Sequence, residues 1–298
     1  MALVTRVVAA ALAAATLTFG GASAEPVSIV DALGREVVVP APPKRIVTVF
    51  SSNTELVAAL GLSDRIVGID AMTRYPPEIV AKPHVGGRLG FSVDTVVAQR
   101  PDLVIVTPAR QAANQLVEPM RRIGIPVIVL TSRTMAEVIG NVRLIGKATS
   151  QSENGEAVAQ AMEARIAAVE KKNAGRTRPR VVMITGQLGN GLMLVARPNT
   201  YTGDAMRIAG ADFALPTLRT LAQVSPEAIL ASAPDVVLFA GRQEDFDDLL
   251  TRPGWRDLPA VRAGRTWIVP RGEWLIPGPR TVDGIERLAE RLRQPEGS

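Results

Sequence analysis

The sequence predicts an α/β protein of two similar lobes joined by one long helix, and three observations point there. Short, bare apolar runs alternate with helical stretches. One long stretch without a strand pattern divides the chain. A helix-plus-strand unit found before that stretch recurs after it. Apolar runs of this kind, with no polar alternation, are the mark of parallel strands buried on both faces.

Taken in order, residues 1–24 form a secretory leader. Arg6 supplies the positive start, Val7 to Leu17 the apolar run, and Ala22-Ser23-Ala24 the small residues before cleavage. The run is shorter than the roughly 20 residues that span a bilayer. A buried N-terminal helix is the alternative, but the Ala-x-Ala ending followed by a polar, Pro-containing segment argues against it. The mature chain should begin near Glu25 and lie in the periplasm. Val27 to Val39 then alternates apolar and polar about Leu33-Gly34-Arg35, as a hairpin does. Ile46 to Val49 is a strand. Ser52 and Glu55 stand at capping-box spacing at the start of the next helix, and Gly61 ends it. Ile66 to Ile69, Leu103 to Val106 and Pro126 to Leu130 are further strands.

From Ser150 to Asn173 the apolar positions Val158, Met162, Ile166 and Val169 keep a helical spacing. A second series follows: Val181 to Ile184, Val236 to Phe239, Thr266 to Val269, and an amphipathic helix from Thr281 to Arg293. The predicted organisation is residues 1–24 leader, 25–149 first lobe, 150–174 linking helix and 175–298 second lobe. The repeat supports it. Ser92, Asp94, Pro101 and Asp102 match Ser225, Glu227, Pro234 and Asp235, every pair 133 positions apart. Each copy places a Ser at a helix start, an acid two residues inside, then Pro-Asp and a buried strand. Chance likeness between two βα units is the competing explanation, and the gapless match of four polar or turn positions weighs against it.

The 298 residues carry a formal net charge of +5, and all but five of the 34 basic residues are Arg. They are scattered among acids, unlike the clustered basic face of a nucleic-acid binder. Arg forks suit carboxylates and other oxyanions, so an anionic small ligand is expected. There is no Cys and one His, His84. That composition excludes a lipid-anchored N-terminal Cys and thiolate sites, and it disfavours a bare transition-metal site.

The residues also resemble a known family. Asp31-Ala-Leu-Gly34-Arg35, Pro43-Lys44-Arg45-Ile46-Val47, Asn53-Thr54-Glu55-Leu56, Tyr75-Pro76-Pro77, Val85-Gly86 and Arg100-Pro101-Asp102 match in order. So do Thr202-Gly203-Asp204-Ala205, Val224-Ser225-Pro226-Glu227 and Gly278-Pro279-Arg280. Together they make the chain similar to the class III, helix-linked substrate-binding proteins of ABC importers for iron siderophores, haem and cobalamin. The resemblance covers nearly all of the mature chain. It implies two Rossmann-like lobes with parallel-rich sheets, a rigid connecting helix and a ligand held between the lobes. The implied partners are a small metal chelate and the inner-membrane permease dimer. No nucleic acid is implied, and the protein should act as a monomer.

In that family one carboxylate per lobe meets an Arg pair on the permease. The matching positions are Asp94 and Glu227, although an acid in a first helical turn is favourable in any case and the family usually has the longer Glu at the first. Strand C-terminal ends carry the ligands of open α/β sheets. That rule nominates Ser51, Ser52, Asn53, Arg74, Tyr75, Arg88, Leu89 and Arg110 in the first lobe. In the second it nominates Gln187 to Gly191, Tyr201, Arg271 and Trp274. The Arg side chains would hold anionic groups, with Tyr75 and Trp274 packed on the ligand. Haem-binding relatives have a Tyr where this chain has Gly87, which leaves His84 as the one residue to consider as an axial ligand. No intrinsic cofactor is expected; the ligand brings its own iron or cobalt. A ferric siderophore ranks first, cobalamin second, haem third.

An exported α/β enzyme and a periplasmic ligand sensor share such a scaffold. The enzyme finds little chemistry. There is no G-x-S-x-G elbow. Gly140 to Lys147 misses the P-loop spacing. Gly186-x-x-Gly189-x-Gly191 runs into an extended segment where a dinucleotide fingerprint needs a helix.

Overall fold

The computed structural model describes residues 25–40, 42–87, 90–218 and 222–294. The predicted leader and the candidates Arg88 and Leu89 lie outside them. The chain opens with an antiparallel hairpin, β1 (Val27–Val30) and β2 (Glu36–Val39). Asp31 secures it: one carboxylate oxygen accepts the Leu33 and Arg35 amides, and the other accepts the Val129 amide of the first sheet at 3.2 Å.

The first lobe runs β3 (Ile46–Thr48), α1 (Ser51–Ala59), β4 (Ile66–Asp70), β5 (His84–Gly87), β6 (Gly90–Phe91), α2 (Val93–Ala98), β7 (Leu103–Val106), α3 (Ala112–Arg122), β8 (Val127–Val129) and α4 (Met135–Ala148). Its strand order is β6-β5-β4-β3-β7-β8, parallel throughout except for β6 at the edge. After the long α5 (Ser152–Asn173), the second lobe runs β9 (Arg180–Gln187), β10 (Met193–Val195), α6 (Tyr201–Ile208), β11 (Asp212–Phe213), β12 (Gln223–Val224), α7 (Pro226–Ser232), β13 (Val236–Phe239), α8 (Gln243–Thr251), α9 (Pro259–Arg262), β14 (Thr266–Ile268), α10 (Arg271–Trp274) and α11 (Arg280–Arg293). Here the order is β12-β10-β9-β13-β14, with β11 beside one end of β9. The central pairs β9–β13 and β13–β14 are parallel, while β10 joins β9 and β12 antiparallel.

The bare apolar strands are buried on both faces, with a strict alternation underneath. Ile46, Leu103, Ile105, Val181, Met183, Val236 and Leu238 point into one shared core. Val47, Val104 and Val106 face a separate outer core of the first lobe. Val182, Ile184, Val237 and Phe239 face that of the second. The shared core crosses between the lobes through Ala159, Met162 and Val169 of α5. Each large side chain fully buried in this way contributes about 1.5–3 kcal/mol.

Helix α5 is stapled to both lobes. Gly146 of α4 and Gly155 of α5 let the two backbones touch; a Cβ on Gly146 would lie 2.9 Å from the Gly155 Cα. Arg143 of α4 holds Glu156 and Glu163, and Arg165 of α5 holds Asp283 and Glu286 of α11. These partly exposed ion pairs each contribute about 0–1 kcal/mol, so the buried apolar seam dominates. One local expectation fails. Phe50, at φ 78°, occupies the N-cap of α1, no side chain caps that end, and Glu55 does not form a capping box with Ser52. Its carboxylate is committed across the lobe boundary instead.

Candidate functional site

Parallel strands deliver their C-terminal ends to one edge of a sheet, and the first lobe uses four of them. The segments just beyond β3, β4, β7 and β8 place Phe50, Ser51, Ser52, Met72, Thr107 and Ser132 on one wall of a cavity of about 540 Å³. The opposite wall comes from the second lobe: Tyr201 opens α6, Arg271 opens α10, and Leu275, Ile276 and Pro277 follow it. The lining is therefore apolar surface punctuated by hydroxyls, one phenol and one guanidinium. Arg271 is fixed by its own fold: one Nη donates to the carbonyls of Thr185 at 2.9 Å and Ala240 at 2.7 Å. Those carbonyls lie on β9 and just after β13, so the charge is anchored at the end of the second sheet.

Of the predicted ligand residues, Ser51, Ser52, Tyr201 and Arg271 line this cavity. Tyr75 is not part of the lining: it is 40% exposed, and its ring lies under the Arg280 guanidinium at 4.0 Å. Burial pushes the Tyr201 hydroxyl well above the usual phenol range, and the negative charge of Glu55 adds to it. Tyr201 therefore stays a neutral hydrogen-bond donor and acceptor.

Others belong elsewhere. Trp274 is 1% exposed and packs under α11, with its carbonyl accepting from the Thr202 hydroxyl at 2.9 Å. It is a core residue, because α10 turns its apolar face toward Gly284 and Leu288. Asn53 is buried; its amide donates to the Val49 carbonyl at 2.6 Å and to the Thr107 hydroxyl at 3.2 Å. It positions the cavity wall from behind. Arg74 is exposed and donates to the carbonyls of Ala71 and Thr73 in its own loop. Gln187 accepts from Arg252, and residues 188–191 form the turn between β9 and β10, away from the cavity lining. His84 is exposed at the start of β5 and is not part of the lining either. Arg110 follows β7 in a short 3-10 turn.

Phe50, Met72, Thr107, Ser132 and Leu275 to Pro277 went unnominated. A stricter use of the strand-end rule finds four of them, since each follows a first-lobe strand within three residues. The Leu275–Pro277 segment carries no such signal, because an apolar tripeptide between helices reads as core.

Asp94 and Glu227 are exposed in the first turns of α2 and α7. Ser92 and Ser225 cap those helices by accepting the amides of Thr95 and Ala228. The repeat thus produces equivalent helix starts, one acid on each. Among the described residues no group of three or more His, Cys, Asp or Glu could hold a metal ion, and no helix is long and apolar enough to cross a membrane.

Comparison with known proteins agrees with this architecture. Over 271 residues, covering 90% of this chain and 85% of the relative, the sequence is 26% identical to an uncharacterized ABC transporter substrate-binding lipoprotein, YvrC of Bacillus subtilis. It is 25% identical to the vitamin B12-binding protein of Vibrio parahaemolyticus over 253 residues, 84% of this chain and 90% of that one. Among solved structures, the periplasmic haem-binding protein RhuT of Roseiflexus, in apo form, superposes with a TM-score of 0.74 at 28% identity, covering 84% of this chain and 97% of that one. The model of the periplasmic binding protein family matches residues 46–271. With two helix-linked α/β lobes, a cavity walled by both and a family match over most of its length, the chain belongs to the periplasmic binding proteins and is a binding component rather than an enzyme.

Proposed function

We propose that this protein captures a preformed metal chelate between its lobes in the periplasm, as a monomer, and hands it to the permease dimer of an ABC importer in the inner membrane. The observation that carries this reading is the composition of the inter-lobe cavity. Hydroxyls of Ser51, Ser52, Thr107 and Ser132, the Tyr201 phenol and the Arg271 guanidinium are spaced around apolar side chains from both lobes. Such groups hydrogen-bond to the periphery of a complex and leave its metal to its own ligands. Iron or cobalt therefore arrives inside the ligand. Among the described residues the lining contains one guanidinium, that of Arg271, so in place of the anionic ligand expected from the Arg content a chelate with a largely neutral, amide- or hydroxamate-bearing surface fits better than a dianionic one. A ferric hydroxamate siderophore ranks first, cobalamin second and haem third. The test is calorimetric titration of the chain from Glu25 with these three ligands. One-to-one binding of one of them supports capture and names the cargo, while heat from none of them counts against the reading.

Delivery rests on Asp94 and Glu227, which the repeat sets at equivalent positions on the two lobes. A two-subunit permease has two equivalent basic surfaces to meet such a pair. Glu227→Ala should reduce transport and ligand-stimulated ATPase activity about tenfold, the loss of one charged contact of roughly 1.4 kcal/mol, with ligand affinity unchanged. Equal transport by the variant removes the assignment.

A further inference from the structure

The molecule joins its lobes near the cavity through a contact that neither the linking helix nor the ligand site accounts for. Glu55 of α1, in the first lobe, accepts two hydrogen bonds from Arg280 at the start of α11, in the second: Nε to Oε2 at 2.8 Å and Nη2 to Oε1 at 2.5 Å. The Glu55 side chain is 2% exposed and that of Arg280 25%. The geometry is bidentate, and the pair is shielded on the carboxylate side. The same guanidinium lies 4.0 Å over the Tyr75 ring. The second lobe makes room for it by omission: a Cβ on Gly272 of α10 would fall 2.6 Å from the Arg280 Nη1. Gly278 lies against Glu55, where a Cβ would sit 3.5 Å from Oε2. A second bridge crosses elsewhere. Asp204 of α6 accepts the Met135 amide at the N-terminus of α4 at 2.9 Å, where the helix end favours a carboxylate.

Each bridge ends on an element that also lines the cavity or flanks its lining. Glu55 is one turn past Ser51 and Ser52, Gly272 follows Arg271, and Asp204 lies one turn past Tyr201. We infer that Arg280 is a positioning residue: with Glu55 and Tyr75 it clasps the lobes at a preset separation, so that the unliganded cavity is already at its binding width. The clasp deepens the chelate-capture reading and rests on it for its purpose. Its mechanics can be measured without any ligand.

The absence of Cys makes the measurement direct. Cysteines introduced for Asp64 in the first lobe and Asp247 in the second, both exposed, carry spin labels whose separation is read by pulsed dipolar spectroscopy on ligand-free protein. The parent should give one narrow distance distribution. Glu55→Gln and Arg280→Lys, each losing the charged fork, should broaden it or shift its centre. Gly272→Ala keeps every charge and crowds only the guanidinium, so it should move the distribution in the same sense while the protein melts as a folded domain. The ligand identified by titration then gives a second readout. If the competent fraction falls to about one-fifth, apparent affinity falls about fivefold, through slower association. Distributions for all three variants that superimpose on the parent overturn the clasp, and they do so whether or not any chelate binds.

Discussion

The helix-plus-strand unit occurs once in each lobe, and its two copies agree at the end remote from the cavity and part company at the end that reaches it. At the remote end the fastenings are equivalent. Arg45, just before β3, donates to the Gln99 and Arg100 carbonyls where α2 finishes. Arg180, opening β9, donates to the Ser232 and Ala233 carbonyls where α7 finishes. Asp102 accepts the amides of Lys44 and Arg45, and Asp235 accepts that of Arg180. Arg100 and Ala233 both take a left-handed backbone, at φ 48° and 41°, to bring the chain out of the helix toward the next strand. At the cavity end, the parallel first sheet offers four strand ends directly. In the second sheet β10 runs antiparallel to both its neighbours, and helices α6 and α10 supply the wall. The scaffold is shared because both lobes must turn a helix into a buried strand. The walls differ because the first lobe presents strand ends to the cavity and the second presents helix starts.

Several substitutions would break or sharpen that comparison. The largest effect is expected at Trp274, which the second lobe spends on its core. Trp274→Ala should cost about 3–5 kcal/mol in urea unfolding. Met72→Ala, on the first-lobe wall, should cost less than about 1 kcal/mol, as for partly exposed positions, and should weaken ligand binding instead. Equal destabilisation by the two would erase the distinction between core and wall.

Next come the equivalent aspartates. Asp102→Ala, which loses an acceptor for two backbone amides, should destabilise by about 1–2 kcal/mol, and Asp235→Ala, serving one, by about 1 kcal/mol. The reverse order would show that the two fastenings are not equivalent.

The smallest effect is a pH dependence at the lobe boundary. Burial raises the Glu55 carboxyl above its ordinary value of 4.5, outweighing the lowering by Arg280. A folded-state pKa above the unfolded one adds stability that is complete below the unfolded value and lost as pH rises through the folded value. The stability of the parent relative to Glu55→Gln should therefore decline as pH rises past the ordinary carboxyl value of 4.5. A relative stability that grows with pH would mean that the pairing outweighs the burial.

Much of this was legible beforehand, and the reasons are local. The hairpin, the apolar strands and the long helix follow from periodicities of two and 3.6, which any short window carries. The repeat was legible because Ser, an acid, Pro and Asp do local work at a helix start and a strand entry. The fastening role that Arg45 and Arg180 share in the two lobes is not legible in the sequence. An Arg preceding a strand carries no sign of the distant helix end it will reach. Trp274 shows the opposite error: an aromatic after a strand reads as a ligand platform, and only the packing of α11 over α10 turns it inward.

By itself, then, the amino-acid sequence determined the fold class, the opening hairpin, the apolar strands, the long and terminal helices, the doubling of the lobes and the pair of acids that the doubling relates. Tertiary structure alone decided which strand ends share a cavity, which guanidinium faces it, and that Glu55 reaches Arg280, 225 residues away. The physical reason is one of range. Periodicity and capping act within a few residues, whereas a cavity wall or a cross-lobe ion pair exists only after loop closure has brought distant segments together. A side chain chooses its partner by the geometry of that closure.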